Sequence, residues 1–175
     1  MLKILLDDAI VLRFLKDWPT GSSRQPNQEQ GRGSFLTAFP NGLEACFSLM
    51  NLCFQKEVEG WIMSSSVPSL YAELESVVGP AEASQKIKDA LNYLACLPLT
   101  EEHIRQAING ANDGKFIPDK LKILICKEFG LDYFITEHVD DLNEIEDIDS
   151  LPVQIVSAAK FLSNFRELQR KPPDR

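Results

Sequence analysis

The run Lys3-Ile4-Leu5-Leu6 stops abruptly at Asp7-Asp8, and apolar residues return at Ile10, Val11, Leu12 and Phe14. A strand that is apolar on both sides belongs in a sheet covered on both faces, which is characteristic of parallel sheets. The pattern recurs along the chain. Trp61-Ile62-Met63, Ala95-Cys96-Leu97-Pro98-Leu99, Tyr133-Phe134-Ile135-Thr136 and Pro152-Val153-Gln154-Ile155-Val156 all read as short buried strands without clear alternation. Pro98 marks a sheet edge or the end of its strand, because proline lacks the amide hydrogen a ladder needs. Helical stretches separate the strands throughout, so the sequence predicts an α/β fold around a parallel sheet.

Periodicity places these helices. One follows the first strand from about residue 9 to 17 and ends before Pro19. A second, over about 42 to 56, carries Leu43, Cys46, Phe47 and Met50 as a core-facing stripe. Pro68 suits the first turn of a third, which ends near Gly79. Pro80 opens a fourth, running to about Leu94 with Ile87, Ala90, Leu91 and Leu94 on one face. Thr100 caps a fifth, with Glu101 and Glu102 in its positive first turn. Pro118-Asp119 begins a sixth through Leu121, Leu124, Ile125 and Phe129, closed by Gly130. A last one covers about 157 to 168. These elements make one domain over residues 1–168, with a polar loop at 19–34 and a loose tail at 169–175.

A chain of 175 residues with 44% hydrophobic content suffices for one full core. The net charge of −8 leaves no bulk basic footprint for nucleic acid, but a bound cation reverses the local sign where acids gather. Cys46, Cys53, Cys96 and Cys126 sit in apolar stretches with no C-x-x-C pair, so they read as buried thiols of a reducing compartment. No signal-peptide pattern opens the sequence and no apolar run is long enough to span a bilayer, which predicts a soluble, cytoplasmic protein.

The chemistry lies in the acids. Asp7 and Asp8 follow the first strand, Asp119 sits in the first turn of a helix, and Asp140 and Asp141 follow the strand that ends at Thr136. In a doubly wound sheet such positions converge at one rim. Carboxylates held together repel and must either protonate or take up a cation, and an all-oxygen set suits Mg²⁺ or Mn²⁺. Each acid also has a plainer reading. Asp7 or Asp8 can cap the next helix, and Asp119 can complement a helix dipole. The acids from Glu137 to Asp149 can form a solvated face, and Arg24 and Arg32 in the polar loop can be ordinary surface residues rather than phosphate contacts.

The order Ile4-Leu5-Leu6-Asp7, Pro98-Leu99-Thr100-Glu101-Glu102, Pro118-Asp119, Leu131-Asp132-Tyr133-Phe134-Ile135-Thr136 and Asp141-Leu142 resembles PIN-domain proteins. The bacterial branch with the toxin ribonucleases of toxin–antitoxin modules looks most similar, and the ending Pro152 to Leu162 also resembles that branch. The resemblance covers about residues 1–165, and its weight lies in the order and spacing of the motifs. It implies a three-layer α/β/α domain with a Mg²⁺- or Mn²⁺-dependent ribonuclease site of three or four acids. Position by position, the family's acids fall on Asp7, Asp119 and Asp141. An antitoxin peptide over the site and a homodimer would be expected with it.

The chain departs from that pattern at three places. Ala9 stands where the family usually has Asn, Ser69 where it has an acid, and His138 where Asp or Asn is frequent. Glu73, four residues after Ser69 on the same helix face, is the candidate replacement for the missing acid. Two functions follow: a metal-dependent ribonuclease acting through Asp7, Asp119, Asp141 and Glu73, or a PIN-like interaction module with a weakened or lost site. A phosphate-accepting receiver domain is excluded, because no Asp occurs between Asp17 and Asp89 to serve as acceptor. A haloacid-dehalogenase-like phosphatase needs Asp-x-Asp, which Ala9 breaks.

Overall fold

The computed structural model describes residues 1–18, 43–109, 117–142 and 152–170. Its centre is β1 (Leu2–Leu6), flanked by β2 (Val58–Met63) and β4 (Tyr133–Ile135), with β3 (Leu94–Leu97) and β5 (Gln154–Val156) outermost. The sheet order is β3-β2-β1-β4-β5, and every pairing is parallel. Ile4 pairs with Gly60 on one side and Tyr133 on the other, while Leu6 lies level with Ile135. The chain builds outward from β1 to β3 and then returns to lay β4 on the opposite side. The strand order therefore reverses between β1 and β4, and in open α/β sheets ligands bind beyond the C-terminal strand ends at that reversal.

Period-two alternation along β1 divides the core into two layers. Ile4 and Leu6 point into one cluster with Ile10, Phe14, Cys46, Met50, Leu70, Leu74, Ile87 and Phe161. That side is covered by α1 (Asp8–Asp17), α2 (Leu43–Phe54), α3 (Ser66–Val78), α4 (Pro80–Leu91) and α8 (Ala158–Arg170). Leu5 points the other way, to Met63, Leu97, Ile123, Ile125, Cys126, Phe134 and Leu142. This second layer is built on α6 (Ile117–Glu128), beside α5 (Glu101–Asn109). The protein is thus a three-layer α/β/α domain. No helix among the described residues is long and apolar enough to cross a membrane.

Some boundaries and burials differ from expectation. Helix α4 ends at Leu91 and not at Leu94, because Leu94 pairs in parallel with Gly60 and belongs to β3. In α6 the buried positions are Ile123, Ile125 and Cys126, whereas Leu121 and Phe129 pack only partly buried at the edge of the second layer. Cys96 is exposed on the outer strand β3 rather than buried like Cys46, Cys53 and Cys126. Within the acidic stretch that follows Thr136 lies a one-turn helix, α7 (Val139–Leu142), that periodicity does not reveal. Helix α8 continues to Arg170. The loop at 19–34 with Arg24 and Arg32, the acids from Glu144 to Asp149 and the last five residues lie outside the described residues.

Candidate functional site

Asp7 sits at the reversal. It is the N-cap of α1, its amide donates to the Ile135 carbonyl at 2.9 Å, and it is only 6% exposed. Both carboxylate oxygens are engaged. Oδ1 accepts from the Asp8 amide at 2.9 Å and from Lys122 Nζ at 2.5 Å, and Oδ2 accepts from the Thr136 hydroxyl at 2.7 Å. Thr136 Oγ1 in turn accepts from the His138 amide at 3.2 Å, which ties the end of β4 to the chain leaving it. A buried carboxylate needs such partners, since an unpaired charge in a dry interior is costly.

Helix α6 brings two charged groups to this point. Asp119 lies in its first turn and Lys122 one turn later, so both share a face. Burial raises the Asp119 carboxyl above its ordinary range; Lys122 and His138 pull it down, and Asp7 and Asp141 push it further up. For Lys122, burial alone would favour the neutral amine, but the charge and hydrogen bond of Asp7, with Asp8 and Asp119 behind it, outweigh that and hold it protonated above its ordinary value. The ammonium also lies 5.9 Å from the centre of the Phe134 ring, within range of a cation–π contact.

Asp141 arrives on α7, where it faces His138 Nδ1 at 3.5 Å; both side chains are exposed. Asp7 and Asp141 thus lie within electrostatic reach of Asp119 at one end of the sheet. Glu73 is not brought there. It is exposed on α3, and its partner is Lys16 at 4.0 Å, near the far end of α1. Lys16 is nine residues along the chain from Asp7, a rise of about 13 Å in a helix. Ser69 is exposed as well. Glu137, from the acidic stretch, accepts from the Ala158 amide at 3.4 Å and so helps start α8.

Three carboxylates at one rim are the right donor type for a hard divalent cation. As they stand, no group of three His, Cys, Asp or Glu side chains among the described residues is gathered closely enough to hold a metal ion. The positive charge beside Asp7 is Lys122, a residue that sequence reasoning passed over. Its signal was there: Lys122 is the one charged residue in the apolar run Leu121 to Cys126. No model of a known protein family matches the chain, and no curated protein matches it either.

Proposed function

We propose that this rim is the active site of a metal-dependent ribonuclease of the PIN-domain type. The single observation that carries the reading is that Asp119 lies within electrostatic reach of both Asp7 and Asp141 beside the strand-order reversal. Asp7, Asp119 and Asp141 would hold Mg²⁺ or Mn²⁺, which supplies polarisation of a phosphodiester and activation of water. The chain's own residues prepare the place. Thr136 orients Asp7 Oδ2, and the apolar layer beneath keeps Asp7 dry, which strengthens its pull on any cation. A cytoplasmic location, an antitoxin peptide covering the rim and a homodimer accompany this reading.

The second reading is an interaction module that retains the fold without the chemistry. Lys122 favours it, because the ammonium already neutralises the most buried acid. Ala9 and Ser69, in place of polar and acidic family positions, point the same way.

Calorimetric titration with Mn²⁺ at neutral pH, paired with cleavage of a fluorophore-quenched single-stranded RNA, separates the two. The nuclease reading expects Mn²⁺ binding that weakens toward acid pH, and cleavage that Asp7→Asn abolishes. Absence of both binding and cleavage leaves the interaction module.

A further inference from the structure

We infer that Thr100 and His103 form a pH-sensitive latch at the start of α5: a neutral imidazole closes it, and uptake of a second proton by the ring opens the first turn of the helix. The latch lies apart from the acidic rim and holds under either reading of that rim.

The Thr100 amide donates to His103 Nδ1 at 3.1 Å, and the His103 amide donates back to the Thr100 hydroxyl oxygen at 3.3 Å. This is the reciprocal pattern of a capping box, with imidazole where glutamate or glutamine usually stands three residues after the cap. The exchange changes the chemistry. A backbone amide only donates, so Nδ1 must present its lone pair, and the single ring proton sits on Nε2. Nε2 gives that proton to Glu128 Oε2 at 2.5 Å, which ties α5 to the last turn of α6. The ring is only 2% exposed, so water replaces neither partner unless the turn moves. Imidazolium carries a proton on both nitrogens and would aim a second donor at the Thr100 amide, a pair that makes no hydrogen bond. Its contact with Glu128 would survive and strengthen as a charged pair. Proton uptake thus trades the cap of α5 for a firmer strut to α6. A box built on glutamate, which ionises near about pH 4, stays closed through the range in which imidazole titrates.

The other charged groups on the two packed helices are already placed. On the exposed face of α5, Glu101 pairs with Arg105 at 2.6 Å, and Glu102 accepts from Gln106 at 2.8 Å. On α6, Lys127 is exposed beside Glu128, while Asp119, Lys120 and Lys122 lie in the first half of the helix. Burial pushes the Cys126 thiol up to about 12, so it stays neutral throughout. The stretch from Leu94 to Thr100, which leads into α5, brings no charged side chain.

The test is proton–nitrogen NMR of the full chain between pH 8 and pH 5, with the exposed His138 as the reference ring. At pH 8 the His103 ring should show the tautomer protonated on Nε2. Exchange of the Thr100 amide, corrected for the intrinsic effect of pH, should become at least roughly fivefold faster at pH 5, while the Ile125 amide within α6 stays unchanged. His103→Gln, an ordinary capping box, should keep the Thr100 amide equally protected at both pH values. A ring protonated on Nδ1 at pH 8, equal protection of Thr100 at both pH values in wild type, or the same acid loss in His103→Gln overturns the inference. If His103→Gln does not fold, Glu128→Gln takes its place. It removes the carboxylate that the imidazolium pairs with, so opening should require a lower pH, and an unchanged transition overturns the latch.

Discussion

Lys86 Nζ donates to the main-chain carbonyl of Leu15 at 2.7 Å, although the lysine side chain is only 2% exposed. A second contact reaches the Lys16 carbonyl at 3.3 Å, and Glu82 lies 3.5 Å from the ammonium. Helix α4 thus caps the C-terminal end of α1, where carbonyls lack partners within the helix and the dipole favours a cation. Lys86→Met should lower the free energy of unfolding by about 1.5–3 kcal/mol, since it leaves buried carbonyls unpaired. Urea denaturation measures this; a loss below about 0.5 kcal/mol, the size of an ordinary surface change, would show that the contact is structurally idle.

Gly60 pairs with Ile4 and Leu94 in the middle of the sheet, and its hydrogen faces the first layer. A Cβ placed there would lie 2.7 Å from both Cys53 Sγ and Leu94 Cδ2. Both neighbours are buried, at 2% and 3% exposure, and have little room to retreat. Gly60→Ala should therefore destabilise by about 1–3 kcal/mol through overpacking, despite the better strand propensity of alanine. Cys53→Ala in the same chain should recover part of that loss, and a double-mutant cycle reads the coupling. Additive effects would sink the steric account.

These two contacts mark where the sequence was legible and where it was not. Ile4, Leu5 and Leu6 declared β1 because strands buried on both faces need apolar residues at every position. Gly130, at φ 61°, closed α6 as a glycine in the left-handed region should. Helix α7 was hidden because four residues show no period. Glu73 misled because the spacing from Ser69 fixes a helix face but not which end of the sheet that face overlooks. Lys86 and Lys122 stayed obscure for a shared reason. A lysine reads locally as solvent-facing, and their partners lie 71 and 115 positions away in sequence, so only the assembled fold supplies the burial and the charge.

Thiol chemistry follows from the layers. Burial pushes Cys53 and Cys126 up to about 12 and raises Cys46 too, with a further push from Glu137. The thiolate is the nucleophile, so these three should be inert in the folded protein at pH 8. Cys96 is exposed, and although partial burial also raises it, reagent can reach it. Titration with a chromogenic disulfide should therefore give one fast thiol, lost in Cys96→Ser, and the other three only after unfolding. Two or more fast thiols in the native state would contradict the packing of α2 or α6.

Asp119 offers the sharpest link between stability and the proposed chemistry. Its carboxyl is raised above 3.8 mainly by burial, so the folded protein holds that proton more tightly than the unfolded chain does. The sign then follows: the fold is favoured by this group below pH 3.8, and that contribution is lost as pH rises through the folded value. At neutral pH the ionised group is a liability, so Asp119→Asn should stabilise at pH 7. The gain should stay below about 1 kcal/mol, because solvent still screens a carboxylate that is only partly buried. Lys122, raised above 10.5, behaves as the base counterpart: its contribution is complete below pH 10.5 and disappears as pH rises through the folded value, so neutral pH leaves it intact in both proteins. Urea titrations at pH 7 and pH 3 check this, with wild type and Asp119→Asn diverging at the first and converging at the second. A site residue that costs stability in return for metal binding should show both effects together. Asp119→Asn should be the more stable protein at pH 7 and the weaker binder of Mn²⁺ in the same buffer. A variant less stable than wild type at pH 7 would mean that Asp119 serves the fold, as a partner to the start of α6, and not the rim.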